Sequence, residues 1–453
     1  MAMDSYIALP FQLKLFRMRK KWTIHFFSLL FITAMHAQDH AIAFKGALIY
    51  PVTGEAIPDG VLIVQKGKII SIDKSGTAIP ADATVVDVTG KVIMPGLVDT
   101  HSHLGGPEGG DRSAALNPEV RVLDAVDPAS DGFRKALAGG LTTINVMPGS
   151  GHLMSGQTIY LKMREGKKIE DLLQVNQKGV YGGMKMANGT NPMHGTPGFP
   201  GTRAKSAAMA RELFVKAQAY RDKIDKAHGD SSKLPERDLA MEALVEVLQG
   251  KRIVHFHTHK MNDILTAIRL SKEFGFRVVL HHVSEGWKVA DEIAKANIPC
   301  SIINIDAPGG KLEAMNMTLR NGADLEKAGV LVAFHTDDGI TDSRFLLRSA
   351  ALSMREGMSR QKALEGLTIS GARMLDLDKT VGSLERGKDA DFIILNGDPF
   401  SVYTHVEQTW VEGIKRFDYA LPADKAFAVG GYRVYSPDRT EFHQHDGEEE
   451  EGN

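Results

Sequence analysis

Two histidines close an otherwise apolar stretch, VIMPGLVDTHSHLGG, at residues 92–106. If residues 93–103 form a strand, side chains alternate between its faces, and His101 and His103 point the same way, able to grip one ion. With 17 histidines in 453 residues, chance supplies about 0.6 such pairs, so the spacing alone carries little. Context carries more. Lys185 lies in GGMKMANG, His255, His257 and His259 in VHFHTHKMNDI, His281 and His282 in LHHVSEG, and Asp337 and Asp338 in FHTDD. Each group closes an apolar run, while the run interiors stay apolar. Imidazole, amine and carboxylate gathered at strand ends are the residue types that bind a divalent cation and move protons. His443 and His445 repeat the His-x-His spacing, but no strand pattern surrounds them and four glutamates follow; they read as the accidental pair.

The elements that must position these residues follow from the alternation of apolar runs with helical stretches, the pattern of βα units on a parallel sheet. Eight runs lie near 96–103, 142–147, 158–161, 179–186, 253–257, 277–282, 300–303 and 331–336. Helical patterns such as MNDILTAIRLSKEFG and EGWKVADEIAKAN follow the fifth and sixth, each ending near Gly or Asn. Eight units predict a closed (β/α)₈ TIM-like barrel, whose strand C-termini form the active face. Segments before and after it, 41–92 and 381–417, are short β runs punctuated by Thr-Gly, Asp-Gly and Lys-Gly turns, and are expected to pair in one sheet layer.

Bulk composition narrows the function classes. The chain carries 54 basic and 56 acidic residues, a formal net charge of -2, so no general field favours nucleic acid or an anionic membrane, and the expected partners are small molecules. Hydrophobic residues make up 43% and charged residues 24%, an ordinary globular composition with ample material for a core. A single cysteine, Cys300, excludes an intramolecular disulfide and cysteine-rich zinc sites. Residues 18–38, MRKKWTIHFFSLLFITAMHAQ, have a basic start and an apolar run too short to span a bilayer comfortably. They predict a signal peptide over 1–37, with Met18 as an alternative start, and a periplasmic or secreted product.

The pieces PGLVDTHSHLG, MKMANG, VHFHTHKMNDI, LHHVSEG, FHTDD and VGSLERGKDADFIIL together resemble the metal-dependent amidohydrolase superfamily, in the branch related to imidazolonepropionase and the prolidase-like enzymes. The resemblance runs from about residue 42 to 417. It implies a β-sandwich-flanked barrel, with the sandwich from 38–95 plus 378–432, the barrel over 96–377 and an acidic tail at 433–453. It also implies two divalent metal ions, zinc the expected element. His101, His103 and Asp337 would hold one ion, and His257 and His282 the second. Lys185 would bridge them as a carbamate formed with CO₂, because an ammonium cannot ligate a cation. Within this pattern His255 sits lower in the barrel as a core residue, His281 faces the opposite side from His282, and Asp338 departs from many relatives.

The implied chemistry is hydrolysis of a C–N bond in an amide, dipeptide or cyclic amide by a metal-bound hydroxide, with Asp337 as proton carrier. The long Gly- and Pro-rich loop ANGTNPMHGTPGFPGTR, 187–203, is expected to wall the substrate site. His194, His259 and Arg112 are its candidate substrate contacts. A mononuclear deaminase or imidazolonepropionase-like cyclic imide hydrolase is the nearer rival, and a non-catalytic scaffold of the same fold the remoter one.

Overall fold

The computed structural model describes residues 40–107, 110–304 and 311–430. The expected leader at 1–37 and the acidic tail at 433–453 lie outside them. The chain is an α/β protein with mixed sheets. Its two turn-punctuated ends meet in one eight-stranded sheet made of β1 (Ile42–Ile49), β2 (Ile57–Gln65), β3 (Lys68–Lys74), β4 (Thr84–Asp87), β5 (Val92–Pro95), β15 (Phe392–Leu395), β16 (Val406–Val411) and β17 (Ile414–Asp418). The join is the antiparallel pairing of β5 with β15, from Val92 opposite Leu395 to Pro95 opposite Phe392. Phe44, Phe392 and Trp410 pack at this join with ring centres 5.0, 5.0 and 5.6 Å apart. Such aromatic pairs are worth about 0.5–1.5 kcal/mol beyond their burial.

Between these ends, β10 (Met184–Ala187), β11 (Val254–Thr258), β12 (Val278–His282), β13 (Cys300–Ile302) and β14 (Val332–Phe334) lie parallel in sequence order. β6 (Leu97–Ser102) and β7 (Leu141–Val146) form a second parallel pair. The expected third parallel unit is replaced. β8 (Met154–Gln157) runs antiparallel to β10, and β9 (Ile159–Lys162) antiparallel to β7. The reason is connection length. Only residues 147–153 link β7 to β8, and a parallel return needs a crossover of about a dozen residues. Helices follow the later strands as the periodicity predicts. Met261–Phe274 stops where Gly275 turns left-handed (φ 72) and its N–H bonds to Ser271 O at 2.8 Å, an αL cap that glycine adopts without steric cost.

Strand alternation builds the layers that position the site. Ile253, Val279 and Ala333 stand two residues before His255, His281 and His335, and so lie one step lower on the same faces. With Met374 they form a buried apolar cluster, a dry floor beneath the histidines. At its edge, β9 is tied to the eight-stranded sheet by Lys162, which meets Asp389 and lies 3.0 Å from Asp391, while Arg164 pairs with Glu412 at 2.8 Å.

Candidate metal centre

β6 delivers the first pair of imidazoles. The buried carboxylate of Asp99 accepts the backbone N–H of His101 at 3.1 Å and that of Thr336 at 3.2 Å, as well as the Thr336 hydroxyl. It thereby clamps the end of β6 to the loop after β14. Burial pushes this carboxyl up to about 7, against the hydrogen bonds that favour its charge. A second clamp is the Asp337 N–H, 2.9 Å from His101 O, with Asp337 in the left-handed region at φ 50. Together they place Asp337 Oδ1 3.3 Å from His101 Nε2 and 2.8 Å from His103 Nε2, with the two Nε2 atoms 3.3 Å apart. Donors about 2.0–2.1 Å from one tetrahedral ion stand roughly 3.3 Å from each other. His103 Nδ1 donates to the Met147 carbonyl at 2.8 Å, which leaves Nε2 as the lone-pair nitrogen.

The second set comes from β11 and β12. His257 is 2% exposed, and neither ring nitrogen has a hydrogen-bond partner among the described residues. Buried polar atoms without partners are rare and call for a ligand. His282 is buried too; its Nδ1 lies 3.3 Å from His335 Nε2 and 4.0 Å from Asp337 Oδ2, while its Nε2 has no partner among the described residues. His259 joins these two. One donor atom from each of His257, His259 and His282 falls within 4.8 Å of the others, as do those of His101, His282 and Asp337.

His281 does not face the opposite side. It is paired with His257 across the sheet, so both point inward, and its Nε2 lies 3.0 Å from His255 Nδ1. His282 should then point away, but φ values of 70 at His282 and 52 at Val283 turn the strand end back and bring its ring inward as well. Such conformations are costly for a β-branched residue and occur where surrounding structure overrides them; here the Val283 N–H is held by Thr258 O at 2.9 Å.

Lys185 is fully buried, its Nζ 3.0 Å from His101 Nε2 and 3.1 Å from Met147 Sδ. Burial pulls its amine down to about 7, with Asp337 opposing. Burial likewise pushes His255 and His335 down to about 3, and His101, His257, His281 and His282 well below the ordinary value. These six imidazoles are therefore held neutral, the form that donates a lone pair to a cation. Beneath it His255 Nε2 reaches the Tyr160 hydroxyl at 3.4 Å, and His335 Nδ1 reaches Ser301 Oγ at 2.8 Å.

Two candidates stand outside this assembly. His194 Nε2 donates to Gly151 O at 2.8 Å and its ring packs on Phe199 at 4.8 Å; Arg112 is exposed on the loop after β6. Asp338 acts locally. It receives Lys135 Nζ at 2.8 Å and the Ser343 N–H at 2.7 Å, which anchors the loop that carries Asp337. His335 was not singled out by the sequence pattern, although it stands just past β14 and two residues before Asp337. Met147 and Ser301 carried no signal of their own.

Imidazoles and a carboxylate convergent at strand ends are equipment for metal-dependent hydrolysis. Residues 92–419 match the amidohydrolase family, and the chain belongs to it. An amidohydrolase from Thermotoga maritima of known structure is 33% identical, with a TM-score of 0.78 over 83% of this chain and 100% of that one. The amidohydrolase tasK of Hapsidospora irregularis is 27% identical over 85% of this chain, which spans 44% of that relative's length. The imidazolonepropionase of Alkaliphilus metalliredigens is 22% identical over 75% of this chain and 84% of its own. Membership places the chain among hydrolases of carbon–nitrogen bonds.

Proposed function

We propose that this enzyme hydrolyses the C–N bond of an amide, dipeptide or cyclic amide with two divalent ions, zinc the expected element, held by His101, His103 and Asp337 and by His257 and His282. The observation that carries the reading is the convergence of the His101, His103 and Asp337 donors at 2.8–3.3 Å beside a second buried imidazole set whose His257 nitrogens lack partners among the described residues. Ions bound there would lower the pKa of water from 15.7 towards about 7 and polarise a carbonyl. Asp337 lies between both sets, Oδ1 towards His103 and Oδ2 towards His282. It is placed to take a proton from the attacking water and return it to the leaving nitrogen. The amine of Lys185, its pKa pulled down to about 7 by burial, is suited to add to CO₂ with loss of a proton, and the two oxygens of that carbamate would supply ligands to the ions.

The six- and three-stranded sheets are read as arcs of one barrel. Supporting this, Thr100 of β6 meets Ser301 of β13 at 2.6 Å, and the β8–β9 run pairs with both sheets. The eight-stranded sheet is read as the flanking β domain, 38–95 with 378–432. The loop 187–203 is assigned as substrate wall, pinned by Asn191 to Ser150 Oγ at 2.6 Å and by His194 to Gly151, with Arg112 offered to a substrate carboxylate. Export is part of the proposal, checked by whether the mature protein starts near Gln38.

Metal analysis joined to a screen of dipeptides, N-acyl amino acids and cyclic amides tests the reading. Two equivalents and hydrolysis of one of these classes are expected. Asp337→Asn should lower kcat/KM at least about 10²–10⁴-fold, the range of lost proton transfer. One equivalent with deamination and no amide hydrolysis would favour the mononuclear rival.

A further inference from the structure

Resting on the two-ion reading, we propose that His259 is a ligand of the second ion, completing a cage of three imidazoles with His257 and His282 rather than contacting substrate. The ring centres of His257, His259 and His282 are 4.6, 4.9 and 4.3 Å apart. Imidazole nitrogens about 2.0–2.1 Å from a shared tetrahedral ion set ring centres roughly 5 Å apart. One donor atom of each residue already lies within 4.8 Å of the other two. All three residues are buried, at 2%, 6% and 2% exposure.

The ring of His259 is held for this purpose. Its Nδ1 meets Ser284 Oγ at 2.8 Å, and the Glu285 N–H donates to His259 O at 2.9 Å. These contacts lock the residue after β11 to the turn after β12, the turn that also brings His282 inward. His282 is steadied in the same way, through Nδ1 against His335 and on to Ser301. Outer partners that fix ring orientation are the usual companions of ligand imidazoles. Lys185, by contrast, sits against the first set, its Nζ 3.0 Å from His101 Nε2. The three imidazoles would therefore give the second ion three ligands of its own, beside any oxygen a Lys185 carbamate would add.

The test is metal stoichiometry on the full-length protein, stripped with chelator and reloaded with zinc. Wild type should retain two equivalents and His259→Ala one, with the far-ultraviolet circular dichroism unchanged. Ser284→Ala, a milder change that keeps the ring, should weaken the second equivalent about 10-fold or more in a competition titration. Cobalt(II) loading gives a second readout: the absorption of one cobalt site should vanish in His259→Ala while the other persists. Two equivalents in the wild type and two, bound as tightly, in both variants would overturn the inference and leave the two-ion reading standing. Fewer than two in the wild type would overturn both.

Discussion

At the scale of single residues, the site depends on what neighbouring atoms leave no room for. Gly183 precedes β10, and a Cβ there would fall 2.4 Å from His255 Cδ2 and 2.5 Å from Ile253 O. The second of these is backbone and cannot step aside. Gly183→Ala is therefore expected to displace His255 from its bonds to His281 and Tyr160 and to destabilise the fold by about 1–3 kcal/mol, the usual cost of overpacking. Calorimetry would read this as a lower melting temperature; an unchanged one would contradict the packing argument. The same logic explains Asp338, whose carboxylate is consumed by Lys135 and Ser343, leaving Asp337 as the carboxylate at the imidazoles.

At the scale of elements, β9 is an irregular strand that is also bolted to the neighbouring sheet. Lys162 is buried among Asp389, Asp391 and Glu412. Burial opposes its charge, but Asp391 and Asp389 outweigh this and raise its pKa above the ordinary 10.5. A cation with a raised folded pKa contributes stability that is fully present below the unfolded value and lost as pH rises through the folded one. The wild type should thus lose melting temperature beyond about pH 10.5 more steeply than Lys162→Met. At neutral pH that variant should be less stable by about 3–5 kcal/mol, because it leaves buried carboxylates without their cation. Denaturant unfolding of both proteins on either side of that pH would decide it, and parallel pH profiles would refute the assignment.

At the scale of the whole molecule, ions would tie elements remote in sequence: the end of β6, the ends of β11 and β12, and the loop after β14. Ligand binding to the folded state alone adds stability by mass action, about 2.7 kcal/mol per site at free metal about 100 times Kd. Stripping the protein with a chelator is expected to lower its melting temperature by several degrees and abolish hydrolysis, and zinc should restore both. A melting temperature indifferent to zinc would mean that the imidazoles hold no ion.

Sequence alone brought His101, His103, Lys185, His257, His282 and Asp337 forward as candidates: strand alternation pairs His101 with His103, and the resemblance to the amidohydrolase superfamily selects the others. Pattern also located most strands and the helix stop at Gly275, since periodicity and glycine caps are local. The tertiary structure decided the rest. His282 turned inward beside His281 because two left-handed residues ended the alternation, held by a hydrogen bond from Val283 to a neighbouring strand. Residues 154–162 ran backwards because the short link from β7 forbids a crossover and partners wait on both sides. His259 is held beside His257 and His282 by Ser284 and Glu285, on a different element. Each outcome rests on contacts between residues far apart in the chain, which no local periodicity encodes.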